Sequence, residues 1–191
     1  MKNWSIAGVN TFLSSVVFFY SHATLVLISL IPSLFRSFQM WHNLDTPVWI
    51  EIVVELTRIV LFLLIIVRLS EIKVHELFQK ETWNRLGNIR SIRMGQNWPH
   101  IFIAQLIVFI IILYGLMNLL IHLVVNISLS TLTDSFDIQK KYEAVYNTFL
   151  FFLKNMSVIP LSMVYILKMC GIGPIGKSTG MPDAGIIEHK I

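Results

Sequence analysis

The chain has 191 residues, 55% of them hydrophobic and only 14% charged, with a net charge of +4. A soluble domain is usually about one-quarter charged, so this composition excludes an ordinary water-soluble globule and points to a membrane protein. The single cysteine, Cys170, excludes an intramolecular disulfide and a multi-cysteine zinc site.

A membrane-crossing helix needs roughly 20 mostly apolar residues. Four stretches meet that need: 9–35, 47–69, 101–125 and 144–170. The first carries scattered Ser and Thr and one His, and it reads as a retained span, because it is too long for a signal peptide and lacks a small-residue cleavage site. Asp45 and Thr46 suit the cap of the second span, with Pro47 at its first position, where a missing N–H costs nothing. Trp98-Pro99 precedes the third. Gly171 and Gly173-Pro174 end the fourth. Trp4, Trp41, Trp49, Trp98, Tyr142 and Tyr146 fall near the predicted boundaries, the depth that amphipathic rings favour.

Orientation follows from the basic residues between spans. One side holds Lys2, Lys73, Lys80, Arg85, Arg90, Arg93, Lys177 and Lys190, with Arg68 and Lys168 at helix ends. The other holds Arg36, Lys140 and Lys141. Positively charged loops stay in the cytoplasm. Both termini and the middle loop are therefore expected there.

The second span is the most informative. Glu51, Glu55 and Arg58 stand at i, i+4 and i+7, on one helical face. A charge at the bilayer centre costs about 2.5–3.5 kcal/mol on insertion scales. The fourth span carries Lys154 and Asn155 in an otherwise apolar run, and the third carries Asn118 and His122. Helical rise puts Glu55 about 12 Å and Lys154 about 15 Å from the outer ends of their spans. These residues are expected to form one polar cluster, with Lys154 paired to Glu55 or Glu51. Two readings stay open: a packing network that fixes helix register, or an ion path or sensing site.

Residues 70–98 form a cytoplasmic hairpin. The second helix is expected to continue into it as far as Arg85, with Gly87 as a stop. Lys80, Arg85, Arg90 and Arg93 give it a basic edge beside an irregular apolar face. Attraction to anionic headgroups is one use of such an edge. Docking of a cytoplasmic partner protein is the other. Direct nucleic-acid binding is disfavoured, because Trp83 is a lone aromatic among the basic residues and no known nucleic-acid-binding fold is recognisable.

Residues 171–191 read as a flexible tail. Within it, "GIGPIGKST" fits the spacing of a phosphate-binding loop through Gly171, Gly176, Lys177 and Ser178. That loop works between a strand and a helix. Here a membrane helix precedes it and only a short Gly- and Pro-containing tail follows, so nucleotide binding is not expected. The "HELF" at His75 lacks the second His of a zinc-protease helix. No Gly-x-Ser-x-Gly elbow, cysteine nucleophile or Asp pair stands out. No catalytic residue, cofactor or metal site is expected.

Four spans in a chain of this size, both ends inside, a basic inner hairpin and a short tail resemble in plan the membrane subunits of the Kiwa anti-phage defence system. The resemblance covers the whole chain as size and topology, and it transfers no functional residue. It implies an oligomeric bacterial membrane protein that works with a cytoplasmic DNA-binding partner.

The expected fold is all-α: a polytopic four-helix transmembrane bundle, one membrane domain over 1–191, with N-terminus and C-terminus cytoplasmic. The expected protein is multi-pass in the bacterial inner (cytoplasmic) membrane and forms a homo-oligomer. Its expected function is a non-enzymatic sensor or scaffold that engages a cytoplasmic partner, with a role in anti-phage defence implied by the resemblance. The alternative is a small ion channel or transporter subunit that uses the intramembrane charges.

Overall fold

The structure is a computed structural model that describes residues 2–42, 47–135 and 142–173. Among these residues every regular element is helical. The order is α1 (Lys2–Ser21), α2 (Ala23–His42), α3 (Val48–Ser70), a 3₁₀ turn (Val74–Phe78), α4 (Lys80–Asn97), α5 (His100–Val108), a π-helical segment π1 (Phe109–Leu116), α6 (Met117–Ser135), α7 (Tyr142–Leu153), a second π segment π2 (Lys154–Val158) and α8 (Ile159–Met169). The run α5–π1–α6 is one rod, and α7–π2–α8 is another.

Among the described residues three helices are long and apolar enough to cross a membrane: Ala23–His42, His100–Thr131 and Tyr142–Met169. The helix α3 is also long, at 23 residues, but its charges Glu51, Glu55, Arg58 and Arg68 set it apart from those three. The last rod is central and the third-span rod peripheral. Of the most apolar stretch in each, 39% is buried in Tyr142–Met169 and only 11% in His100–Thr131.

The single helix expected over 9–35 is instead two, divided at His22. The His22 ring Nδ1 bonds the Phe18 carbonyl at 2.7 Å, and the His22 backbone N–H donates to the Phe19 carbonyl at 3.2 Å. A side chain that takes a carbonyl of the preceding turn competes with the backbone ladder. Pro32, by contrast, lies inside α2 without ending it. The scattered serines have a packing role: Ser29 and Ser33 are fully buried, one turn apart. Small side chains let helix backbones approach closely. The Ser29 hydroxyl lies 3.6 Å from the Met156 sulfur, and the Ser37 and Thr148 hydroxyls each donate to the other's backbone carbonyl at 3.3 and 3.4 Å. These contacts set α2 antiparallel to the last rod.

At the opposite end, α1 packs on α5 and α8. Gly8 makes the approach possible: a Cβ there would meet Val108 Cγ2 at 2.6 Å. The buried Tyr165 hydroxyl donates to the Gln105 carbonyl at 2.7 Å, and Gln105 Nε2 donates to Thr11 Oγ1 at 2.9 Å. Lys168 Nζ donates to the Ser14 carbonyl at 2.8 Å. The N-terminal helix and the end of α8 thus lie at the same end of the bundle. The main core gathers Phe19, Leu25, Leu61, Ile65, Leu113, Leu161 and Tyr165. A smaller core joins Ile121, Val125 and Leu129 to Val145 and Leu150.

Helix ends correct three expectations. The second helix does not run on to Arg85; it ends at Ser70. Glu71 adopts the left-handed conformation (φ 55°), and the Ile72 N–H caps the Val67 carbonyl at 3.1 Å. Gly87 is not a stop either, because α4 passes through it to Asn97. The expected stop at Gly171 is present, with φ 82° and the Ile172 N–H bonded to the Leu167 carbonyl at 2.9 Å. Pro47 precedes the first helical residue, Val48, rather than occupying it. Asp45, Thr46, Lys140, Lys141 and the tail from 174 onward, including Lys177, lie outside the described residues.

Candidate functional site

The polar residues of α2, α3, π1, α6 and π2 meet around one cleft of about 850 Å³. Its lining includes Arg36, Arg58, Asn118, His122, Lys154 and Asn155. Helix geometry explains the convergence. Arg36 stands in the latter half of α2, where the antiparallel α3 brings Glu51 level with it. Asn118 and His122 are one turn apart on α6, and Lys154 and Asn155 begin π2. Both π segments reach the cleft, π1 through Tyr114 and π2 through Lys154, Asn155 and Val158. A π segment widens a helix by one residue per turn, frees carbonyls from the regular ladder and often marks a functional site. Asparagines take nearby carbonyls here: Asn118 Nδ2 donates to Tyr114 O at 2.7 Å, and Asn155 Nδ2 to Phe151 O at 2.8 Å.

Two ion pairs back the cleft. Both terminal nitrogens of Arg36 hold the Glu51 carboxylate, at 2.6 and 2.5 Å, and one also donates to Gln39 Oε1 at 3.1 Å. Arg58 holds Glu55 at 2.6 Å and donates to Asn155 Oδ1 at 2.9 Å. Its Nε is buried and has no hydrogen-bond partner among the described residues. Forked Arg–carboxylate contacts are directional and stronger than neutral hydrogen bonds.

The expected pairing of Lys154 with Glu55 or Glu51 is not formed. Arginines already hold both carboxylates, so Lys154 lines the cleft without an ion-pair partner among the described residues. Glu51 and Glu55 do not line it; Glu55 faces a smaller neighbouring recess with Ile59, Phe62 and Met163. Arg36 is the residue that sequence reasoning misplaced, as a charge in an outer loop. The available signal was Gln39 one turn later, a polar side chain at helical spacing that argued for a longer α2. Tyr146 was read only as a boundary aromatic, yet its hydroxyl meets His122 Nδ1 at 2.6 Å.

The basic hairpin is a helix in its own right. Lys80, Arg85 and Arg90 are exposed on α4; the Arg93 side chain is outside the described set. The helix is anchored through Leu86, which shares the main core with Leu77, and Trp83 Nε1 donates to the Leu77 carbonyl at 2.7 Å. Phe78, just before α4, and Ile92, within it, are also exposed. Among the described residues no group of His, Cys, Asp and Glu is placed to hold a metal ion.

A second groove, of about 790 Å³, lies between α2 and α3. Its walls are apolar, including Leu34, Phe38, Trp41, Trp49 and Ile50. It supplies lipid-like contact but no directional chemistry.

No family model, curated protein or solved structure matches this chain.

Proposed function

We propose that this protein is a four-span, non-enzymatic sensor or scaffold subunit of a bacterial inner membrane, with both termini in the cytoplasm. The observation that carries this reading is the pairing of the α3 charges. Each carboxylate of α3 is neutralised by an arginine, Glu51 by Arg36 of α2 and Glu55 by Arg58, which continues to Asn155. Pairing offsets the cost that keeps bare charges out of lipid, so α3 suits a bilayer despite its composition. It also ties up the acidic groups that a cation path would need, which favours a scaffold over a channel.

Self-association follows from the same helix. The Glu55 side chain is 55% exposed, flanked by exposed Ile52, Leu56 and Ile59. A half-exposed carboxylate on an apolar face is poorly suited to lipid, and a second copy of the chain covers it at less cost. The α4 helix then presents Arg85 and Arg90 with Phe78 and Ile92 to a cytoplasmic protein. A role in anti-phage defence rests on the resemblance of plan to the Kiwa membrane subunits.

Purification in mild detergent together with the products of neighbouring genes tests the proposal. An assembly larger than one chain that retains a soluble protein is expected. Ion flux through liposomes that hold this chain alone would replace the scaffold with the channel.

A further inference from the structure

Among the described residues the ion-pair network at the cleft leaves the Lys154 ammonium over. Arg36, Arg58 and Lys154 face the cleft, while Glu51 and Glu55 neutralise only the two arginines from behind. Lys154 stands twelve residues into the 28-residue apolar helix Tyr142–Met169, about 18 Å along it. A bare ammonium at such a depth is costly in a bilayer and calls for a counter-charge. The cleft offers room for one, and hydrogen-bonding groups surround it: Asn118, His122, Asn155 and Ser162.

The remaining wall is apolar. Met40, Phe151, Val158 and Ile159 line it, and Tyr114 at its edge is 73% exposed. Tyr114 continues into the outward-facing row of Ile110 and Ile111 on π1. A ligand seated here meets positive charge and amide donors at one end and a lipid-facing hydrocarbon surface at the other. The π segments on both sides widen the backbone where the two surfaces meet.

We propose that this cleft binds an acidic amphiphile, with its phosphate or carboxylate head against Lys154 and its acyl chain laid along π1. This deepens the sensor reading of the same site, by naming the class of molecule sensed, and it rests on that reading's placement of the helices in a membrane. The shared chemistry of a lipid head and free phosphate is the anionic oxygen. The apolar wall selects the lipid.

The test is native mass spectrometry of the full chain released from nanodiscs that contain phosphatidylglycerol, phosphatidylcholine or a mixture. The wild type is expected to retain phosphatidylglycerol over phosphatidylcholine by about tenfold or more. Lys154→Met should lose that preference and Lys154→Arg should keep it, at unchanged thermal midpoint and oligomer size. Tyr114→Ala changes an exposed side chain, so folding does not depend on it; it should weaken retention of both lipids and decides the matter if Lys154→Met does not fold. Equal retention of the two lipids by the wild type, or undiminished retention in Lys154→Met or Tyr114→Ala, would overturn the proposal. Displacement of the lipid by millimolar inorganic phosphate would overturn the amphiphile in favour of a soluble anion. Oligomer size and partner recovery, read on the same wild-type preparations, test the scaffold reading separately.

Discussion

Arg58 of α3 holds Glu55 of its own helix with one terminal nitrogen and Asn155 of π2 with the other. One guanidinium thus couples a local i,i+3 ion pair to a contact between helices. Asn155 is fixed in turn by its bond to the Phe151 carbonyl and is almost fully buried. Glu55 has no other ion-pair partner among the described residues.

That chain of dependence gives an asymmetric prediction. Removing one member of a buried pair costs about 3–5 kcal/mol, whereas replacing both is often close to neutral. The exposure of the Glu55 side chain lowers the expected loss for Arg58→Met to about 1–3 kcal/mol. Combining it with Glu55→Gln should restore much of that loss, because no stranded carboxylate remains. Thermal denaturation in detergent measures both. Equal instability of the single and double variants would mean that Arg58 acts through Asn155 and packing alone.

Two glycines should respond with opposite sign. At Gly8 an added Cβ meets Val108 side-chain atoms at 2.6 and 2.9 Å, with the Ala104 carbonyl at 3.4 Å. Gly8→Ala should force α1 away from α5 and cost about 1–3 kcal/mol, as overpacking does. At Gly87, inside α4, nothing lies within 4 Å. Gly87→Ala should stabilise by about 0.5–1 kcal/mol, since glycine loses more backbone freedom in a helix. Melting curves of the two variants check the pair, and the same sign for both would contradict the packing described.

These sites show what the sequence makes legible. The helical class, the apolar rods and the stop at Gly171 follow from composition and from glycine's conformational freedom, which are local properties. The polar cluster was visible too: Arg58, Asn118, His122, Lys154 and Asn155 share one cleft. Partner choice was not visible. Two carboxylates at helical spacing do not reveal which cation reaches them, and Arg36 was hidden by a helix boundary set at residue 35. The break at His22 was equally hidden. Neither Gly nor Pro marks it, whereas Pro32, a residue type that disrupts helices, sits inside α2. The π segments Phe109–Leu116 and Lys154–Val158 carry no Gly, Pro or charge pattern in common that would mark them.

Orientation can be read chemically. Arg36 is now a paired helix residue, so it no longer counts among the loop charges, and the basic excess of the side holding α4 becomes larger. With Cys170→Ser as background, a cysteine at Asn88 should be shielded from a membrane-impermeant thiol reagent in intact cells. A cysteine at Asp134 should be labelled. The reverse pattern would invert the topology and remove the cytoplasmic placement of α4.

The α4 surface supplies the last prediction. Its core anchor, Leu86, is separate from its exposed edge, so the edge is open to change without unfolding the helix. Arg85 and Arg90 are exposed there, five residues apart, with Arg93 three residues further along the helix. Phe78, just before the helix, and Ile92, on it, are exposed apolar residues of the same segment. Lipid headgroups and a protein partner both attract such an edge, but they differ in what they require. Headgroup attraction is about 1 kcal/mol per basic residue and depends on charge alone. A protein interface draws most of its energy from a few anchors that fill pockets, while rim charges mainly steer association. Reversing Arg85, Arg90 and Arg93 to Glu should abolish partner recovery while membrane insertion and thermal stability persist. Phe78→Ser with Ile92→Ser, which leaves every charge in place, should also abolish recovery if a protein docks here. Loss on charge reversal with full recovery in the double serine variant would make the partner contact one of charge alone, without apolar anchors. Full recovery in both would move the partner to another surface.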